Sequence, residues 1–74
     1  MKELELLTTS HCHLCQQAEA LLARALPGWP VTRVDIAEDD DLIERYGERI
    51  PVVRCGAREL AWPFSLLDLR QLVS

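Results

Sequence analysis

Apolar residues recur along this chain with two different periods, and the switches between them divide it into short elements. Residues 3–8, ELELLT, alternate, with Leu4 and Leu6 toward one side and Leu7 toward the other, as in a strand covered on both faces. From Leu14 the spacing lengthens: Leu14, Ala18, Leu21, Leu22 and Ala25 fall on one helical stripe, which Pro27 and Gly28 close. The run VTRVDI, residues 31–36, returns to period two, with Thr32, Val34 and Ile36 facing one way and Arg33 and Asp35 the other. In EDDDLIERYG, residues 38–47, acids occupy a first helical turn, Arg45 the last, and Gly47 the position beyond, which predicts a second, short helix. IPVVRCG and RELAW then read as two brief strands of a hairpin turning at Gly56 and Ala57. Pro63 opens a final segment in which Leu66, Leu67, Leu69, Arg70 and Val73 suit a helix with proline near its first turn.

The predicted order is β-α-β-α-β-β-α, an α/β chain. A strand, crossover helix and strand imply a right-handed parallel pair, to which the hairpin adds antiparallel, with helices covering both faces. The 74 residues allow one domain, 1–74, and the 49% hydrophobic content is enough for a core to form against chain entropy. Twelve acids against eight bases give a net charge of −4 with the bases scattered, which argues against nucleic acid as a partner. No apolar run approaches the ~20 residues of a membrane helix, and acids stand where a signal peptide would be apolar. The expected location is the cytoplasm, without a membrane partner, and the expected state is a monomer.

The chemistry lies in TTSHCHLCQQ, where Cys12 and Cys15 sit three apart at the start of the first helix. Both fall on nearly the same side of the first turn, so their Cα atoms can meet the roughly 4.4 to 6.8 Å separation a disulfide needs. Free amides and the helix dipole favour a thiolate at Cys12, with Cys15 deeper in the turn, which makes Cys12 the attacker and Cys15 the resolver. A C-x-x-C between a strand and a helix is a specific redox signal. His11 and His13 flank the nucleophile on the substrate side; protonated, either would favour the thiolate, and exposed histidines without a role are the equal alternative. The third cysteine, Cys55, fits core packing in the third strand. Asp35 fits a polar strand end, the acids Glu38–Asp41 a dipole-stabilising first turn, and Trp29 and Trp62 packing at element ends.

CHLC after the first strand, RIPVV opening the third, and the element order together resemble a small glutaredoxin-like protein of the thioredoxin fold over nearly the full length. The resemblance implies a four-stranded mixed sheet of order 2-1-3-4. It also implies a cis Ile50–Pro51 bond beside the dithiol, with the backbone of Ile50 free to pair with an extended peptide or with glutathione. Substrates would be protein or glutathione mixed disulfides, with glutathione as reductant or co-substrate and no bound cofactor or metal. The chain departs from the family in carrying His13 and Leu14 between the cysteines, TTSH without lysine before them, and AWPFS where a glycine-rich turn holds glutathione. Arg49 could meet a carboxylate or remain a solvated loop residue.

Two other classes compete. Small copper carriers also place C-x-x-C near residue 12, so a module for Cu(I), zinc or a bridging iron–sulfur cluster is one alternative, though such domains end on a strand. A thioredoxin-fold binding domain with an idle dithiol is the other.

Overall fold

The computed structural model describes residues 3–74. Its elements are β1 (Leu4–Thr8), α1 (His13–Ala25), β2 (Val31–Asp35), α2 (Asp40–Tyr46), β3 (Val52–Cys55), β4 (Arg58–Ala61) and α3 (Leu66–Leu72). One sheet runs in the order β2-β1-β3-β4. β1 and β2 are parallel, from Leu4 opposite Val31 to Thr8 opposite Asp35, while β3 is antiparallel to both β1 and β4. This is the thioredoxin-like arrangement, of sheet order 2-1-3-4, that the resemblance implies.

The alternation in β1 divides the core. Leu4 and Leu6 join Val53 and Cys55 under α1 and α3, which contribute Ala18, Leu22, Leu69 and Leu72. Leu7 and Val52 point to the opposite face, where Ile36 and Tyr46 cover them. Leu4, Leu6 and Leu7 are all fully buried, as a strand sandwiched between two layers requires. Cys55 is a free, buried cysteine within the larger cluster, and Trp29 and Trp62 pack against its margin.

Four local readings of the sequence are corrected. The buried stripe of α1 is Cys15, Ala18, Leu22 and Ala25, and Leu14 is 44% exposed. At roughly 100° per residue Leu14 lies about 60° from the centre of that stripe, so the thiol of Cys15 takes the inward place. Ile36 does not finish β2; it begins a 3₁₀ turn, Ile36–Glu38, capped by the Asp35 carboxylate, which accepts the Ala37 N–H at 2.9 Å. Gly47 ends α2 with an ordinary φ of −52°, not a left-handed one, and what it supplies is room, since a Cβ there would lie 2.5 Å from the Ile43 carbonyl oxygen. Finally, Pro63 lies outside α3. The helix is started by a capping box in which the Ser65 hydroxyl accepts the Asp68 N–H at 3.1 Å and the Asp68 carboxylate accepts the Ser65 N–H at 2.9 Å.

The hairpin turns through Gly56 and Ala57 between the paired residues Cys55 and Arg58. Gly56, with φ +62°, takes the first loop position, where a two-residue hairpin loop calls for a positive φ. The Ile50–Pro51 and Trp62–Pro63 peptide bonds are both cis.

Candidate functional site

The chain leaves β1 at Thr8 and reverses into α1 through His11, whose φ of +60° is a left-handed conformation that histidine adopts more readily than most residues. Cys12 follows as the N-cap of α1, with extended φ and ψ of −105° and 105°. Its carbonyl accepts the Gln16 N–H at 3.2 Å, and its sulfur accepts the Cys15 N–H at 3.1 Å. The sulfur thus fills the role that a hydroxyl or carboxylate oxygen usually has at a helix start.

Cys12 and Cys15 are joined as a disulfide across a Cα–Cα distance of 5.2 Å. Their surroundings differ: Cys12 is half-buried, whereas Cys15 is 3% exposed and belongs to the packed face of α1. A partner's sulfur can therefore approach Cys12 and not Cys15. No acid occupies the first turn of α1, whereas Asp40 and Asp41 stand in the first turn of α2 and Asp68 in that of α3. The positive end of the α1 dipole is left for the sulfur, and amide donation to a thiolate lowers a thiol pKa. His11 and His13 are exposed on either side of Cys12.

The register brings Ile50 and Pro51 to the same end of the sheet. Leu7 pairs with Val52 and Val52 with Ala61, so Thr8, Pro51 and Trp62 follow one step outward, toward the loop that carries the dithiol. The Trp62 N–H donates to the Pro51 carbonyl at 3.0 Å, tying the two turns together. Pro51 is buried and Ile50 half-buried. The backbone of Ile50 is not fully free, which corrects the expectation: its N–H donates to the Tyr46 carbonyl at 3.1 Å, because the chain leaves α2 in a tight turn. Only the Ile50 carbonyl is left for an incoming strand.

Arg49 is an exposed residue of the turn after α2, in keeping with the solvated-loop reading, and it also approaches an aromatic ring. Its guanidinium lies 5.6 Å from the centroid of the buried Tyr46 ring, with those of Arg45 at 5.8 Å and Arg54 at 5.9 Å. The Tyr46 hydroxyl donates to Glu59, and Arg54 pairs with Glu5 at 3.2 Å. Burial disfavours the Arg54 charge, but Tyr46 and Glu5 outweigh it and hold the guanidinium pKa above its usual value. This arginine–tyrosine cluster had no signal in the sequence, since its members are spread over α2, the following loop and two strands. Trp62 packs at the end of β4 as its position before Pro63 suggests, and its ring meets that of Phe64 edge to face at 5.1 Å. The start of α3 was legible in Ser65-Leu-Leu-Asp68, a capping-box spacing.

Among the described residues, no three His, Cys, Asp or Glu side chains gather to hold a metal ion. None of the described helices is long and apolar enough to cross a membrane.

Residues 3–74 match the family described as Glutaredoxin-like domain (DUF836). The fold and sequence are similar to those of the Northeast Structural Genomics target protein XcR50 from X. campestris, solved by X-ray and in solution. The X-ray structure is 42% identical with a TM-score of 0.85, covering 95% of this chain and 93% of that one. For the solution structure the values are 42% and 0.84, covering 99% of this chain and 92% of that one. No curated protein matches the chain.

Proposed function

The chain belongs to the glutaredoxin-like domain family, and on that premise we propose that it is a thiol-disulfide oxidoreductase of the cytoplasm, with Cys12 as nucleophile and Cys15 as resolving thiol. One observation carries the reading: a half-buried sulfur caps a helix whose first turn holds no acid, with a buried second sulfur within bonding distance. The Cys12 thiolate attacks one sulfur of a substrate disulfide. A bond forms between Cys12 and that sulfur, the substrate S–S bond breaks, and the departing thiolate takes a proton from water. Cys15 then loses its proton and attacks the Cys12 sulfur, the mixed disulfide opens, and the second substrate thiol is released. Two electrons pass to the substrate, and the protein is left with its Cys12–Cys15 disulfide, which one dithiol or two monothiols such as glutathione reopen.

The division of labour follows from access. The half-buried sulfur meets the partner, and the buried one reaches only its neighbour, so the mixed disulfide forms at Cys12. His11 and His13 stand where they would border a substrate docked against Cys12, and Ile50 and Pro51 where they would border its backbone. A Cys15→Ser variant, reduced and mixed with disulfide-bearing proteins, is expected to accumulate a covalent adduct at Cys12 that a thiol reductant removes. A Cys12→Ser variant that traps equally well through Cys15 would overturn the assignment.

A further inference from the structure

The groups around the dithiol select among disulfides. Glutathione carries two carboxylates and one ammonium group, so a site that holds it must offer free N–H donors or cations. Beyond the exposed imidazoles of His11 and His13, the rim offers few. At the turn from β4 into α3, the Trp62 N–H is taken by the Pro51 carbonyl, Pro63 has no N–H, and the Ser65 N–H is taken by the Asp68 carboxylate, which leaves the Phe64 N–H as the turn's one open donor. Asp68 itself places a negative charge beside that turn. Ile50 offers an incoming backbone its carbonyl alone, and Arg49, the cation nearest in sequence to Pro51, has its guanidinium against Tyr46.

The rim has apolar surface instead. Leu14, between the two cysteines, is 44% exposed although it belongs to an amphipathic helix, and Ile50 and Trp62 are half-buried and Pro63 exposed at the same end of the sheet. We infer that the dithiol acts on protein disulfides in which an apolar side chain adjoins the attacked cysteine, docked as an extended segment across Leu14, Ile50 and Pro63, and that glutathione disulfide is a poor substrate. With one main-chain hydrogen bond on offer at Ile50, discrimination must come from side chains, and Leu14 is the residue placed to supply it. This inference rests on the oxidoreductase reading, since it names the substrate class of that same sulfur.

The test uses the reduced full chain in single-turnover reactions with three probes: hydroxyethyl disulfide as a neutral reference, oxidised glutathione, and a disulfide-linked peptide with leucine beside each cysteine. Relative to their rates with a free small thiol, the apolar peptide is expected to react at least tenfold faster than glutathione disulfide. In Leu14→Gln that ratio is expected to fall at least threefold. A glutathione rate equal to or above the peptide rate would overturn the inference while leaving the oxidoreductase reading intact, as would a Leu14→Gln protein with an unchanged ratio. Failure of the reduced protein to outpace a free thiol on every probe would instead remove the underlying reading.

Discussion

Two helix starts in this molecule solve the same problem with different atoms. At α3 the Ser65 hydroxyl and the Asp68 carboxylate bind each other's backbone N–H groups, closing the helix end with two oxygens and a negative charge. At α1 a single sulfur accepts one N–H, no acid shares the turn, and the sulfur remains open to a partner. The first is a start optimised for stability. The second gives up that closure, because a carboxylate in the same turn would compete with a thiolate for the dipole and the amides. The difference teaches where the chemistry is: reactivity sits where ordinary capping has been withheld.

Exchanging the capping atoms tests this contrast. Cys12→Ser puts the α3 solution at α1, and because serine is a strong N-cap the helix start is expected to persist. Disulfide turnover is nevertheless expected to fall by roughly three orders of magnitude or more, the scale on which loss of a nucleophile acts, which a coupled reduction assay measures alongside an unchanged circular dichroism spectrum. Ser65→Ala opens the other start. It is expected to cost about 1 kcal/mol and to lower the melting temperature by roughly 4–8 °C, with the rate per folded molecule unaltered, since no Ser65 atom takes part in the exchange. The smallest effect belongs to Gln16→Glu, which restores an acid one turn into α1. At about 0.3–1 kcal/mol of charge–dipole competition it should raise the Cys12 pKa by a few tenths of a unit, read from the pH dependence of alkylation; a pKa that drops would count against the dipole argument.

Much of this architecture was readable in advance. The alternation of Leu4, Leu6 and Leu7 located a strand buried on both sides, and the Cys12–Cys15 spacing located the reactive turn, because both depend on residues close together in sequence. The buried register of α1 was misjudged at Leu14, since the sequence alone treats Cys15 as chemistry when it is also packing. Residues whose partners are distant were the least legible. The N–H of Ile50 is taken by a carbonyl at the end of α2, and Arg49 and Arg54 meet at Tyr46 from a loop and a strand. No local pattern encodes such encounters, and they decide what the site can offer a substrate.

The account depends most on the state of the Cys12 sulfur in the reduced protein. Below its pKa the thiol is protonated and alkylation is slow; the rate rises with pH through the pKa and then levels. A helix-capping thiolate predicts that the iodoacetamide rate at Cys12, followed site by site in the Cys15→Ser protein, reaches its midpoint within roughly pH 3.5–7.5. A midpoint at or above the free-thiol value of about 8.5 would mean that the α1 start does nothing for the anion.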